Sequence, residues 1–142
     1  MRSRSSHLRE LILFAMLGTL MFCSKIIMEA LPNIHLVGML TMVYTIVFRQ
    51  KALIPIYVFV AITGVYLGFN VWWIPYLYAW TILWGVTMLL PKKLPKKLAY
   101  VIYPLICGIH GFGNLVAGLM IVPLTDLMKK VLKRQYRGGI DI

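Results

Sequence analysis

The chain has 142 residues, of which 61% are hydrophobic and 13% are charged, and its formal net charge is +11. This composition leaves too few polar side chains to cover a water-soluble core, which excludes a soluble enzyme, a coiled coil and a disordered chain. The apolar runs do not alternate with polar residues at a period of two, which excludes a membrane β-barrel.

Charged residues and helix-breaking residues divide the chain into apolar runs. Residues 52–91 form 40 positions without Asp, Glu, Lys or Arg, and one membrane crossing needs about 20 apolar residues. The predicted spans, in chain order, are 11–31, 34–48, 52–68, 72–90 and 98–128. Their short connections favour antiparallel packing of sequential helices. We therefore expect an all-α protein, a compact bundle of five to six transmembrane helices in one domain over residues 1–142.

The basic residues lie between the predicted spans. Fourteen of the 15 Lys and Arg residues fall before residue 11, at 49–51, at 92–97 and after residue 128. Such clusters mark cytoplasmic loops of a membrane protein, whereas a nucleic-acid-binding protein collects them on one folded face. We expect a multi-pass cell-membrane protein with a cytoplasmic amino terminus, whose basic ends contact anionic lipid or a cytoplasmic partner and no nucleic acid. A secretory signal is the alternative for the first run, but no small-residue cleavage site follows it.

The last run leaves the number of crossings open. Five basic residues follow Met128, and the 31 residues 98–128 are fewer than the about 40 that two full spans require. Three alternatives remain: two short helices that turn near 108–113, a re-entrant segment, or one tilted helix bent at Pro104. The first two place both termini in the cytoplasm.

Two charged residues lie inside the first predicted span. Lys25 and Glu29 are four residues apart and Asn33 follows four residues later, so the three side chains share one helix face. Charges in a bilayer persist when they pair with each other, face a cavity or contact a polar ligand. Two interpretations follow: an ion pair between Lys25 and Glu29, or contact of at least one of them with a ligand near Asn33 and His35.

Polar and aromatic residues cluster around the third connection and the fourth span. They are Asn70, Trp72, Trp73, Tyr76, Tyr78 and Trp80. One interpretation is an aromatic belt at the membrane interface. The other is a pocket wall for a flat heterocycle, because Trp73, Tyr76 and Trp80 follow each other at helical spacing.

No pattern of catalytic or metal-binding residues occurs. His110 and Asn114 are four residues apart, and a tight contact between helices is the alternative to a ligand role for them. The three His residues lack metal-ligand spacing, and neither a nucleophile motif nor a phosphate-binding loop is present. We expect no enzymatic activity, no metal and no cofactor.

Small residues recur along the first span. Ala15, Thr19 and Cys23 follow each other every four residues, with Gly18 alongside. A stripe of small side chains lets another helix approach closely. That helix belongs either to this chain or to another subunit.

Several stretches resemble the substrate-binding S components of energy-coupling factor (ECF) vitamin transporters. They are KIIMEALPNIHL at 25–36, KAL at 51–53, GFNVWWIPYLY at 68–78 and IHGFGNLVAGLMIVPL at 109–124. The resemblance covers about residues 8–130. It implies a membrane subunit that binds a vitamin-like small molecule near the outer face and associates with a coupling transmembrane subunit and two cytoplasmic ATPases.

The resemblance also implies roles for individual residues. Ala15, Thr19 and Cys23 match the docking stripe of the family, although the family pattern is Ala-x-x-x-Ala. The other matches are Asn33 and His35 to the first-loop lid, Trp72, Trp73 and Tyr76 to the outer aromatic wall, and His110 and Asn114 to the helices that close the pocket. This chain departs from the six spans of the family, because it joins the start of the fifth span to the end of the sixth. A small structural or assembly membrane protein without a ligand is therefore the alternative function, and a membrane enzyme ranks third.

Overall fold

The computed structural model describes residues 4–29, 36–91, 94–108 and 119–135, and in these residues all regular structure is helical. The elements, in chain order, are α1 (Arg4–Met28), α2 (Leu36–Phe48), a 3₁₀ turn (Arg49–Ala52), α3 (Leu53–Leu67), α4 (Ile74–Leu89), α5 (Lys96–Gly108) and α6 (Ile121–Gln135). The predicted all-α class is confirmed. Two helical stretches, Ser5–Met28 and Leu36–Leu67, have the length and apolar composition needed to cross a membrane.

Helix α1 is longer at its start than the sequence pattern predicted. The pattern placed its beginning near residue 11, whereas it begins at Arg4, because no Pro or Gly interrupts the polar residues before the apolar run. Its 25 residues extend about 37 Å, which exceeds the roughly 30 Å of a bilayer core.

Helix α2 packs antiparallel to α1. The Phe14 and Phe48 rings meet edge to face with centroids 5.2 Å apart, and the Tyr44 hydroxyl donates to the Leu17 carbonyl oxygen at 3.3 Å. Because a later residue of α1 contacts an earlier residue of α2, the two helices run in opposite directions.

Helix α3 packs parallel to α1. Glu10 near the start of α1 forms an ion pair with Lys51 just before α3, and Phe22 contacts Tyr66 near the other end of α3. Since α2 and α3 have opposite directions relative to α1, the chain reverses between them. Arg49 adopts a φ of 55° at this point, a left-handed conformation that ends α2.

The first four helices surround a common core. Helix α1 packs against α2 and α3, and α4 packs against the same two helices from the other side. The sequential helices α2 and α3 were expected to pack against each other, but α2 packs mainly against α4, α6 (Ile121–Gln135) and α1, and α3 packs mainly against α1 and α4. The helix α4 is antiparallel to α3, since Val60 contacts Trp73 and the earlier residue Tyr57 contacts the later residue Thr81.

The chain folds back between α5 and α6. Lys96 Nζ lies 3.0 Å from Asp126 Oδ2, whereas one straight helix would separate residues 30 positions apart by about 45 Å. This contact excludes a single helix over 98–124. Helix α6 packs on α2 and continues to Gln135, so Lys129 to Arg134 lie on a helix and not in a tail. Of the turn predicted near 108–113, Gly108 is the last residue of α5, and residues 109–113 lie outside the described residues.

Four of the five buried threonines among the described residues satisfy their hydroxyl groups within their own helices, whereas the Thr125 hydroxyl has no partner there. Thr41, Thr45, Thr63 and Thr87 each donate to the carbonyl oxygen four residues earlier, at 2.7–2.8 Å. This pattern removes unpaired hydroxyl groups from an apolar interior. Large apolar side chains also cover the outer surface of α1, including Leu11, Met16 and Ile27, which are all more than 60% exposed. Exposed apolar surface of this kind is stable in lipid and costly in water.

The tightest contact between α1 and α3 leads to a first prediction. A Cβ at Gly18 would lie 2.6 Å from Val58 Cγ1 and 2.8 Å from the Pro55 carbonyl oxygen, so Gly18→Ala should separate the helices and destabilise the protein by about 1–3 kcal/mol. Gly85→Ala is the matched control, because a Cβ there meets nothing within 4 Å, and helix propensity makes this change neutral or stabilising by up to about 1 kcal/mol. Thermal unfolding in detergent measures both, and equal stability of the two variants would contradict the predicted contact.

Candidate functional site

The connection between α3 and α4 forms a tight turn that contains two tryptophans, Trp72 and Trp73, and fixes their backbone positions. Helix α3 ends at Gly68, whose φ of 86° suits glycine. The Asn70 side-chain oxygen then accepts the Trp72 backbone N–H at 3.1 Å, and the Asn70 carbonyl oxygen accepts the Trp73 N–H at 2.9 Å. Asn70 therefore positions both tryptophans through its own hydrogen bonds.

The Trp73 indole lies directly over Gly64 on α3. Its Nε1–H donates to the Val60 carbonyl oxygen at 2.9 Å, and the Phe69 ring meets it edge to face at 5.0 Å. A Cβ at Gly64 would lie only 2.6 Å from Trp73 Nε1. The indole can pack this closely on α3 because Gly64 has no side chain.

Beside this indole lies an apolar cavity of about 330 Å³. Its lining residues are Thr63, Leu67, Gly68, Asn70, Trp72, Trp73 and Tyr76. Its volume falls at the lower end of the range of about 300–1,000 Å³ that is typical of small-molecule sites. We call it the aromatic cavity. Four of the predicted binding residues line it together: Asn70, Trp72, Trp73 and Tyr76.

Trp80, the last residue of the predicted aromatic stripe, lies outside the lining of this cavity. Its ring packs against Tyr76 at 6.2 Å and against Phe59 at 6.0 Å. Its Nε1–H is buried without an acceptor in the described part of the chain. Trp80 therefore supports the ring of Tyr76 from behind and does not contact the cavity.

The aromatic cluster contains exposed residues and residues that line the aromatic cavity. Trp72 is 83% exposed and Tyr78 is 54% exposed, as expected for side chains at a membrane interface. Trp73 and Tyr76 are partly buried and pack against the core. Trp72 belongs to both groups, because it also lines the cavity.

Lys25 and Glu29 do not form an ion pair with each other, since neither belongs to the ion pairs found among the described residues. Lys25 is half-buried one turn after Phe22, which contacts Tyr66 near the end of α3. Glu29 is exposed and directly follows α1, whose carboxyl end lies beside that of α3 because the two helices are parallel. The carboxylate is therefore at the same end of the bundle as the aromatic cavity.

Four of the predicted binding residues lie outside the described residues: Asn33, His35, His110 and Asn114. In the part of the chain that is described, no group of three or more His, Cys, Asp or Glu side chains has the geometry to hold a metal ion.

The predicted docking stripe is exposed along its full length. Ala15, Thr19 and Cys23 all lie on the outer surface of α1, and the Thr19 hydroxyl donates to the Ala15 carbonyl oxygen at 2.9 Å. Gly18, which the sequence placed beside them, instead packs against α3. Among the described residues no helix of this chain covers the stripe, so its face is open to another protein or to lipid.

Sequence reasoning missed the α3 side of the cavity. Thr63, Leu67 and Gly68 line it, and Gly64 makes room for the indole. The signal available in the sequence was the repeat of Gly64 and Gly68 at helical spacing, since small residues mark close contacts between membrane helices.

Comparisons of the chain with protein-family models, curated proteins and solved structures find no match.

The contact at Gly64 leads to a second prediction. Gly64→Ala should displace the Trp73 indole and break its hydrogen bond to Val60, because the added methyl group overlaps the ring. We expect a changed near-UV circular dichroism spectrum with the helix content retained. Gly85→Ala is again the matched control, since nothing lies within 4 Å of its Cβ. An unchanged aromatic spectrum in Gly64→Ala would show that the indole does not occupy this position.

Proposed function

We infer that this protein is a solute-binding membrane subunit of the S-component type of ECF transporters, which takes up a vitamin or a related small heterocycle. The observation that carries the proposal is the aromatic cavity, in which Trp72, Trp73 and Tyr76 gather at one end of the bundle. Flat rings bind well between aromatic side chains, because offset or edge-to-face ring pairs add about 0.5–1.5 kcal/mol each beyond simple burial.

Polar groups near the cavity can fix the orientation of such a ring. Asn70 and Tyr76 supply an amide and a hydroxyl group in its lining, and Glu29 follows the end of α1 at the same end of the bundle. Lys25 has no ion-pair partner among the described residues, and it lies in the last turn of the helix that leads to Glu29. An apolar cavity with a few polar groups at its edge is the usual composition of a small-molecule site. Asn33, His35, His110 and Asn114 complete this site in the proposal.

The membrane setting of the proposal rests on the apolar exterior and on the distribution of charge. We propose five to six crossings, with the amino terminus and the basic connections at 49–51 and 92–97 in the cytoplasm. The turn at Gly68 to Asn70, which carries no Lys or Arg, then faces the outside. The aromatic cavity consequently opens toward the external solute.

The chain has no proposed catalytic role, so energy for transport has to come from partner subunits. The exposed stripe of Ala15, Thr19 and Cys23 suits close packing by a helix of the ECF coupling subunit, which two cytoplasmic ATPases drive. Surrounding residues on α1 are large, including Met16 and Leu20, so the stripe forms a shallow groove between them.

Ligand binding tests the solute-binding proposal. Isothermal titration of the purified protein with thiamine, riboflavin, biotin and pyrimidine precursors should identify a ligand, and Tyr76→Ala should weaken its affinity by about ten-fold or more, since it removes a ring from the cavity. Tyr78→Ala is the matched control, because Tyr78 lies on the same helix, is exposed and does not line the cavity.

Absence of binding to every compound in a broad vitamin panel would favour the alternative of a small structural or assembly membrane protein. Equal loss of affinity in the Tyr76 and Tyr78 variants would place the ligand elsewhere.

Partner docking is tested by adding bulk to the exposed stripe. Thr19→Leu should abolish co-purification with a coupling subunit and leave the thermal stability unchanged, because the side chain projects outward and blocks close helix approach. Ala61→Leu adds bulk at an exposed position of α3 and should leave assembly intact. Undiminished co-purification of Thr19→Leu would remove the stripe from the proposed interface.

A further inference from the structure

A second cavity lies at the opposite end of the bundle from the aromatic cavity. It measures about 330 Å³ and is lined by Ile46, Val47, Arg49, Pro91, Tyr103, Lys129 and Lys133. Arg49 directly follows α2 and Pro91 lies just beyond α4, whereas the aromatic cavity is at the start of α4. The 16 residues of α4 separate the two cavities by about 24 Å. We call this second site the basic cavity.

Three cationic side chains line the basic cavity, namely Arg49, Lys129 and Lys133, and no carboxylate of the described residues lines it. The acidic residues of the described chain either form ion pairs with other lysines or lie far from the basic cavity. Glu10 pairs with Lys51 and Asp126 pairs with Lys96, and the hydrogen bond from Lys96 to Asp126 raises the pKa of Lys96. Glu29 directly follows the carboxyl end of α1, at the end of the bundle where the aromatic cavity lies.

The chain as a whole has 15 Lys and Arg residues and four Asp and Glu residues. It therefore lacks the carboxylates to neutralise its own cations. Clustered cations around a concave site repel one another, and an anion bound from outside relieves this repulsion. The favoured ligand of the basic cavity is for this reason an anion.

The backbone holds Arg49 in place before any ligand arrives. Its left-handed φ of 55° bends the chain, and its carbonyl oxygen accepts the Trp84 Nε1–H at 3.1 Å. The guanidinium donates to the Met88 carbonyl oxygen through Nη2 at 3.1 Å. Its Nε–H is buried without an acceptor in the described residues. Arg49 therefore has a fixed orientation and still has an N–H donor without an acceptor. An oxyanion can accept hydrogen bonds from such a guanidinium.

The remaining donors come from α5 and α6. Lys129 and Lys133 are four residues apart, so their ammonium groups share one face of α6. Tyr103 of α5 lines the same cavity as Arg49. A guanidinium, two ammonium groups and a phenol suit an anion that has several oxygens and more than one acceptor direction.

We propose that the basic cavity binds a phosphate group, either that of an anionic lipid headgroup or that of a free phosphate. Arg49 supplies the oriented guanidinium, and Lys129 and Lys133 supply mobile ammonium groups that close over the phosphate oxygens. The apolar residues Ile46, Val47 and Pro91 form the rest of the wall, beside which the glycerol part of a lipid fits. This site does not depend on the proposed solute-binding function.

The test compares two double variants that remove the same charge from neighbouring faces of α6. Lys129→Gln with Lys133→Gln changes two residues that line the cavity, and Lys130→Gln with Arg134→Gln changes two exposed residues that do not. Native mass spectrometry of the full chain in detergent measures retention of short-chain phosphatidylglycerol, with phosphatidylcholine as the reference lipid. We expect about ten-fold weaker retention of phosphatidylglycerol in the first variant and a change below about two-fold in the second.

Inorganic phosphate distinguishes the two sources of the anion. Displacement of phosphatidylglycerol by millimolar phosphate supports a free phosphate ligand, and persistence of the lipid supports a headgroup ligand. Equal weakening in both double variants would show that net charge alone retains the lipid and would overturn the proposal. Equal retention of phosphatidylcholine and phosphatidylglycerol by the wild-type chain would also overturn it. The lysine substitutions leave the buried contacts of Arg49 intact, so loss of folding does not obscure the result.

Discussion

The contact between α1 and α3 at Gly18 is the constraint on which the other features depend. Because Gly18 has no side chain, the backbone of α1 lies against Val58 and the Pro55 carbonyl oxygen, and the two helices pack in parallel from Glu10 to Phe22 of α1. The same contact brings the carboxyl ends of α1 and α3 together, which places Glu29 near the aromatic cavity. It also turns the face of Ala15 and Thr19 outward, where a partner helix can reach it.

The two ends of the bundle differ in chemistry because the helices are antiparallel to their chain neighbours. The connection between α3 and α4 carries glycine, asparagine and tryptophan, and the connections at 49–51 and 92–97 carry the basic residues. The aromatic cavity has Asn70 and Tyr76 in its lining, and the basic cavity is lined by Arg49, whose Nε–H is buried without an acceptor in the described chain. Each cavity therefore combines an apolar wall with groups that a matching ligand can engage.

Local properties of the chain predicted the helices well. Apolar runs bounded by charges, Pro and Gly placed α2, α3 and α4 within about two residues of their observed ends, because helix boundaries depend on short-range features. Asn70, Trp72, Trp73 and Tyr76 could be predicted as one cluster, since a short turn and helical spacing bring them together. Trp80 has the same spacing but packs against Phe59 and Tyr76 and does not line the cavity.

The sequence by itself determined the all-α class, the approximate bounds of the helices and the clustering of charge, because these follow from residue type and spacing along one chain segment. Only the tertiary structure decided that α2 packs against α1, α4 and α6 and that α3 packs against α1 and α4, while α2 and α3 make few contacts with each other. It also decided that Gly18 faces inward and that Lys129 and Lys133 join Arg49 around a cavity. These outcomes depend on how side chains distant in sequence pack together. Periodicity within a helix specifies which residues share a face, but it does not specify which neighbouring helix that face contacts.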